Sequence, residues 1–193
     1  MRAWRSDELS EVIIVEPDVF GDQRGYFLET YQRLRYQDSG IDVTFVQDNL
    51  SFSRRGVLRG LHYQLPHEQA KLVHVIKGEI FDVVVDIRRG SPRFGKWVSV
   101  VLSEENKRQI FVPAGFAHGF CVLSETAYVL YKCSDFYSPE SEGGVLWSDP
   151  QLNIEWPIAD PLLSDKNAAY PHLKDIPLER LPLLPITAQG DLG

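Results

Sequence analysis

Hydrophobic and polar residues alternate in short runs along most of the chain, a pattern typical of strands that bury one face. Glycine, proline, asparagine and serine separate the runs and mark turns. Little helical periodicity lies between them, so the pattern predicts an all-β closed barrel or jelly roll. The runs cover residues 43–53, 71–76, 79–87, 97–102, 109–112, 119–123 and 127–133.

Local signals refine this pattern. Lys77-Gly78 separates two runs rich in β-branched residues, which predicts a hairpin. Residues 29–38 suit a short helix or an arm. Prolines recur from Pro157 onward, so about 157–193 should be extended or looped, with short helical turns. Without a repeat or linker, we predict one domain over 1–193, with an N-terminal arm over about 1–45.

Charge and composition exclude several classes of protein. The formal net charge is -7, which argues against a nucleic-acid surface because phosphate binding needs a basic face. No apolar stretch has the length of a membrane span, and the first residues lack the apolar run of a signal peptide. We therefore expect a soluble, cytoplasmic protein. Cys121 and Cys133 lie in apolar runs without CxxC spacing and should be small buried hydrophobes.

The segment around His62 looks like a damaged metal site. Small β-barrels of the cupin type bind metal through a His-x-His pair, a glutamate and a later histidine after a Pro-x-Gly turn. Residues 113–118 match the later part with His118, but His62-Tyr63-Gln64 has glutamine in place of the second histidine. A divalent metal needs three or four such ligands, and only His67 or His74 could complete the set. We therefore expect no metal. The lack of a GxGxxG fingerprint after a strand agrees with the expectation that no cofactor is needed.

The chain resembles a known family, the dTDP-4-dehydrorhamnose 3,5-epimerases, which are metal-independent cupins of nucleotide-sugar metabolism. The resemblance rests on an ordered set of sequence blocks rather than on any single block. It implies a cupin-type double-stranded β-helix with short helical segments at the C-terminus. The matching blocks are residues 22–29, 45–51, 56–64, 71–87, 113–120 and 128–137.

The resemblance implies roles for four residues. Family members remove a proton next to a sugar ketone on one face and return a proton on the other. Such chemistry needs a base near neutral pKa, an opposed acid and a donor or cation aimed at the enolate oxygen. His62 matches the base, Tyr131 the acid and Lys71 the enolate stabiliser, while His118 should line the same cavity.

The resemblance also implies contacts with the dTDP half of the substrate. Arg24 and Arg59 suit the diphosphate, because a guanidinium fork grips phosphate oxygens in bidentate fashion. Tyr137 matches the aromatic residue on which thymine stacks. Binding residues near the first strands can come from a partner subunit, so a homodimer is expected. Further matched contacts are Glu29, Gln47, Asn49, Glu142 and Lys166.

Each catalytic candidate has a structural alternative. His62 could be a hydrogen-bonded core histidine, and Lys71 could be a surface residue because lysine is rarely buried unpaired. Tyr131 could be strand packing. Alternation places Val129, Tyr131 and Cys133 on one face of their strand but does not say which face points inward.

One position departs from the family pattern. The usual Ser-x-Lys-Asp, whose aspartate bonds the catalytic histidine, reads Ser164-Asp165-Lys166-Asn167 here. Asn167 could suffice as an orienting group, Asp165 could replace the carboxylate, or the activity could be altered. Asp82 is a candidate partner of His118, although a strand aspartate at a rim is the simpler interpretation.

The leading hypothesis is therefore epimerisation of dTDP-4-dehydro-6-deoxy-D-glucose at C3 and C5. Alternatives are a single-position epimerase of a specialised deoxysugar pathway, a non-catalytic cupin that binds a nucleotide sugar, and a metal-dependent cupin oxygenase or isomerase. The residues alone do not separate the first two, because selectivity depends on how the sugar ring moves in the pocket.

Overall fold

The computed structural model describes residues 1–184. Residues 185–193 of the predicted C-terminal region lie outside the described residues. No helix within residues 1–184 is both long and apolar enough to span a membrane. The strands are β1 (Arg2–Arg5), β2 (Ile13–Glu16), β3 (Val19–Asp22), β4 (Gly25–Leu28), β5 (Gln47–Arg54), β6 (Leu58–Gln64), β7 (Lys71–Lys77), β8 (Glu79–Asp86), β9 (Trp97–Ser103), β10 (Gln109–Val112), β11 (Phe116–Val122), β12 (Thr126–Cys133) and β13 (Glu142–Gly144).

The helical elements are short. They are α1 (Arg33–Asp38), α2 (Asp165–Ala168) and two 3-10 helices at Leu173–Asp175 and Leu178–Arg180. Those after Pro157 fit the predicted C-terminal region, where proline limits longer helices.

Two antiparallel sheets face each other and enclose the main core. One has six strands in the order β1-β2-β10-β7-β12-β5, and the other has five in the order β13-β6-β11-β8-β9. Alternate residues point inward, so Val73 and Val129 of the larger sheet pack with Val84 and Phe120 of the smaller one. The predicted all-β jelly roll is confirmed.

The outer faces are covered by the two ends of the chain. Leu173 and Leu181 from the C-terminal region pack on the outward Leu61 and Val83 of the smaller sheet. On the larger sheet, Tyr36 of α1 is fully buried. Residues 1–45, predicted to form an arm, contribute β1 and β2 to this sheet, whereas β3 and β4 form a separate two-stranded hairpin.

The hairpin predicted at Lys77-Gly78 is wrong. β7 pairs with β10 and β12, whereas β8 pairs with β11 and β9, so this turn carries the chain from one sheet to the other. Gly78 has φ +86°, and a β-carbon there would overlap the carbonyl oxygen of Thr126. Turn residues indicate a reversal, but they do not say which strands pair afterwards.

We predict that Gly78→Ala destabilises the fold more than Gly90→Ala does. Backbone strain at positive φ costs about 1–3 kcal/mol at either position, and the overlap with Thr126 adds to this cost only at Gly78. Gly90→Ala is the matched control, because Gly90 has φ +80° but open space where a β-carbon would lie. Urea unfolding of both variants checks this. Equal losses of unfolding free energy would contradict the crowding at Gly78.

Candidate active site

A cavity of about 330 Å³ lies between the two sheets, where β5 and β7 begin and β6 and β12 end. A deeper recess of about 150 Å³ shares His62, Lys71 and Tyr131 with it. The three predicted catalytic residues therefore border one space. The outer part is also lined by Gln47, Asn49, Tyr63, Gln64, Gln69, Tyr137 and Glu142, and the recess by Ser51, Arg59, His118 and Phe120.

Strand alternation and register bring these side chains together. On β6, Leu61 and Tyr63 pack outward, which turns His62 toward the cavity. The antiparallel register sets His118 of β11 opposite His62. On β12, Tyr131 lies on the inward face with the buried Val129, which settles the face that alternation left open.

His62 is held by the residue that departs from the family pattern. Its Nε2 lies 2.8 Å from Oδ1 of Asn167, whose side chain is buried. Burial, together with the positive charge of Lys71, lowers the pKa of His62 to about 4, although the bond to Asn167 acts in the opposite direction. This differs from the near-neutral pKa expected from the sequence. The ring is neutral at physiological pH and can accept a proton, but it is a weaker base than an ordinary histidine.

The second histidine has a carboxylate partner. Nε2 of His118 lies 2.9 Å from Oδ2 of Asp82, which is fully buried. The interpretation of Asp82 as a rim residue is wrong, because β8 directs it into the core beside His118. Burial raises the pKa of Asp82, and His118 and Lys71 counteract this effect.

Desolvation shifts the pKa values of Lys71 and Tyr131 in opposite directions. Burial lowers the pKa of the Lys71 ammonium and raises the pKa of the Tyr131 hydroxyl. Tyr131 thus keeps its proton at neutral pH. A neutral imidazole, a protonated phenol and a lysine around one cavity can together move protons at a carbon next to a carbonyl.

Glu142 anchors the outer wall of the cavity. It accepts hydrogen bonds from the hydroxyls of Tyr137 at 2.6 Å and Tyr170 at 2.8 Å, and its carboxylate pairs with Nζ of Lys166 at 2.8 Å. Although burial raises the pKa of Glu142, these donors lower it to about 2. Tyr137 is 53% exposed and lines the outer part of the cavity.

The predicted polar contacts on β5 and β6 also lie at the cavity. Nε2 of Gln47 donates to Oδ1 of Asn49, and Oε1 of Gln47 accepts from the backbone N–H of Tyr137. Arg59 donates from Nε to Oγ of Ser53 in the deeper recess. These bonds fix the amide and guanidinium groups at the cavity and its recess.

Two predicted residues lie away from the cavity within one chain, and Lys166 reaches it only through its ion pair with Glu142. The Arg24 side chain, on the turn of the β3–β4 hairpin, is 90% exposed and pairs with Asp22. Glu29 pairs with Arg35. Neither residue lines the cavity or its recess.

Sequence reasoning missed some residues at the site. Ser51 lies two positions beyond Asn49 on the same inward face, so alternation could have found it; its buried Oγ has no partner among residues 1–184. Gln69 lines the outer cavity from a loop, where no periodic signal exists. Tyr170 packs edge-to-face on His62, with ring centroids 5.7 Å apart, and gave no signal either.

The other histidines considered as metal ligands lie elsewhere. His67 is exposed beside Asp135. His74 is buried on the opposite side of β7 from Lys71, which lines the cavity. Across residues 1–184, no cluster of three or more His, Cys, Asp or Glu side chains has the arrangement of a metal site.

Comparison with known proteins decides the family. The family model of dTDP-4-dehydrorhamnose 3,5-epimerase matches residues 6–175. The chain belongs to this family. A dTDP-4-dehydrorhamnose 3,5-epimerase of Shigella flexneri is 59% identical over 162 residues, which cover 83% of this chain and 90% of the relative.

Solved structures of epimerases share the fold. The dTDP-6-deoxy-D-glucose-3,5-epimerase of Legionella pneumophila, in complex with dTDP-4-keto-L-rhamnose, matches with a TM-score of 0.93 and 52% identity, covering 95% of this chain and 98% of that one. The 3'-monoepimerase ChmJ of Streptomyces bikiniensis, in complex with dTDP-quinovose, matches with a TM-score of 0.86 and 36% identity. The match covers 93% of this chain and 92% of that one. The predicted epimerase family, enzyme class and cupin-type fold are confirmed.

We predict that Lys166→Ala raises the pKa of Glu142 from about 2 by about one unit or more, because an ion-paired donor is lost. A ¹³C NMR titration of the Glu142 carboxyl checks this without substrate. Lys174→Ala, which removes an exposed lysine from a 3-10 helix, is the control. An unchanged Glu142 titration in Lys166→Ala would contradict the proposed anchoring.

Proposed function

We propose that this epimerase converts dTDP-4-dehydro-6-deoxy-D-glucose into dTDP-4-dehydro-L-rhamnose by inverting C3 and C5. The observation that carries the proposal is the joint placement of His62, Lys71 and Tyr131 around one cavity. Family membership supplies the substrate class, and the bound dTDP-4-keto-L-rhamnose of the Legionella relative supports it.

The proposed step is a proton transfer across the sugar ring. His62 takes the proton from the carbon beside the ketone. The electron pair of that C–H bond forms a double bond to C4, and the carbonyl π pair moves onto the C4 oxygen, which gives an enolate. Lys71 stabilises this oxygen by charge. Tyr131 gives its proton to the opposite face as the carbonyl re-forms, and solvent then restores both side chains.

The same groups serve both inversions, because the C4 ketone acidifies both C3 and C5. Protons move but no electrons leave the substrate, so the net reaction needs no redox cofactor. The ammonium of Lys71 and the hydroxyl of Tyr131 act on developing charge within a desolvated pocket, where electrostatic interactions are strong.

The wider cavity suits the nucleotide half of the substrate. The exposed ring of Tyr137 supports thymine stacking, since stacking suits an uncharged pyrimidine. We assign Arg59, which lines the recess, to the diphosphate that joins the nucleoside to the hexose. We assign Gln47, Asn49, Glu142 and Lys166 to polar contacts along the nucleotide. The hexose would then occupy the recess, where His118 lines one wall.

A single-position epimerase is the second candidate. The similarity to the 3'-monoepimerase of Streptomyces bikiniensis favours it, because that relative shares the fold at 36% identity. Its substrate would undergo the same proton transfer at one carbon only. The two candidates therefore differ in the number of carbons exchanged and share their catalytic residues.

We predict solvent deuterium at both carbons flanking the ketone when the protein turns over dTDP-4-dehydro-6-deoxy-D-glucose in deuterated water, as followed by NMR. His62→Ala and Tyr131→Phe should each lose about 10²–10⁴-fold in rate, since each removes a proton-transfer group. His172→Ala, outside the cavity, is the matched control. Exchange at one carbon supports the single-position epimerase, and exchange at neither carbon contradicts both candidates.

We also propose that residues 1–193 form one domain that acts as a homodimer in the cytoplasm. Support for the dimer comes from large exposed apolar side chains on the β3–β4 hairpin, which as an isolated two-stranded unit has little stability of its own. The outward face around β5 is similarly apolar. The exposed apolar residues of these two surfaces are Phe20, Tyr26, Phe27, Leu50, Phe52 and Ile76.

The proposed cytoplasmic location agrees with the state of the cysteines. Cys121 and Cys133 are free, as expected in a reducing compartment.

The exposed Arg24 is the residue through which we propose that one subunit contributes to the active site of the other. It lies away from the cavity of its own chain, so we propose that it reaches the diphosphate in the cavity of the second subunit. Such an exchange of residues across a two-fold axis would be symmetric.

We predict that mixing Arg24→Ala and His62→Ala subunits restores activity, although each variant alone is inactive or strongly impaired. In a mixed dimer, one site then has intact His62 from one chain and intact Arg24 from the other. Random re-association should restore about a quarter of wild-type activity. No recovery, in a mixture shown by mass spectrometry to contain mixed dimers, would contradict the shared site.

A further inference from the structure

Asn167 gives the proposed base an uncharged partner. Its Oδ1 lies 2.8 Å from Nε2 of His62, and its side chain is 5% exposed. The residue sits in α2, where the Ser164 hydroxyl caps the helix by accepting from the Asn167 backbone N–H. The side chain is thus held by helix geometry and by burial, and it has little freedom to turn away.

The chemistry of this contact fixes the tautomer of His62. An amide oxygen only accepts hydrogen bonds, so Nε2 must carry the proton and donate it. The lone pair then lies on Nδ1, which forms no hydrogen bond within residues 1–184. A base requires a free lone pair, and this orientation of Asn167 provides one.

Packing around the ring supports the same orientation. Tyr170 lies edge-to-face on His62, and it can do so because Gly144 is opposite His62 in the β6–β13 pair. A β-carbon at Gly144 would overlap the Tyr170 ring. The imidazole is therefore held from two sides before any substrate arrives.

No carboxylate bonds directly to His62 within residues 1–184. Asp82 is bonded to His118, and Glu142 is bonded to Lys166, Tyr137 and Tyr170. Asp165 is exposed on α2 and does not replace the missing carboxylate. The ionisable groups that face His62 are Lys71 on β7, His118 on β11, Tyr131 on β12, Glu142 on β13 and Tyr170 after α2.

We propose that Asn167 is a positioning residue that fixes the orientation and tautomer of His62 without placing a charge on it, so that this base works further into acid than a carboxylate-paired histidine would. The inference rests on the proposed epimerase function. A base is active in its neutral form, so activity is lost as the pH falls through its pKa. Burial lowers the pKa of His62 to about 4, and the uncharged Asn167 does not restore it.

The test compares pH profiles of kcat/KM. In Asn167→Asp, the added carboxylate should raise the pKa of His62 and move the acid limb upward by about one pH unit or more. In Asn167→Ala, kcat should fall about 10²-fold through misplacement of the ring, with KM nearly unchanged. Asp165→Asn changes one carboxylate on the same helix away from His62 and should leave the profile unchanged. Identical profiles for wild type and Asn167→Asp would overturn the inference.

A readout without substrate separates this inference from the proposed function. ¹⁵N NMR of the wild-type imidazole should show the proton on Nε2 and titration with a midpoint near 4. The opposite tautomer, or titration near the ordinary histidine value of about 6.5, overturns the inference. If the tautomer is as expected but no carbon exchanges deuterium, the proposed function fails and the positioning of His62 stands.

Discussion

The site depends on how closely β6 and β11 approach each other. A β-carbon on Gly60 would overlap the backbone at Gly119, and a β-carbon on Gly119 would overlap the carbonyl oxygen of Arg59. The two glycines therefore allow the strands to pair at the point where the register shifts, and this pairing sets His118 opposite His62. The candidate active-site cavity lies beside this contact.

Burial then gives similar side chains different chemical properties. His62 and His118 are neighbours, but one is bonded to an amide and the other to a carboxylate. The carboxylates likewise differ: burial raises the pKa of Asp82, whereas three donors lower the pKa of Glu142. Desolvation raises the pKa of both carboxyls, and only at Glu142 do the hydrogen-bond donors outweigh it.

The sequence predicted seven of the thirteen strands in residues 1–184 and most of the site, because alternation and motif spacing are local properties. The strands β1–β4, β6 and β13 were not among the predicted runs. The run 109–112 was predicted with its observed bounds, and the cavity contains His62, Lys71 and Tyr131 as expected. Contacts between residues far apart in the sequence could not be predicted in this way. The sheet change at Gly78 depends on which strands pair later. The role of Tyr170 likewise depends on how a distant loop packs.

A structure with dTDP-4-dehydro-6-deoxy-D-glucose bound to the Tyr131→Phe variant is the most direct test of the proposed catalytic arrangement. We expect Nδ1 of His62 to face C3 and C5 from one side of the ring and residue 131 to face the other side, with Nζ of Lys71 at the C4 oxygen and thymine against Tyr137. A hexose outside the recess, or His62 and residue 131 on the same side of the ring, would contradict this arrangement.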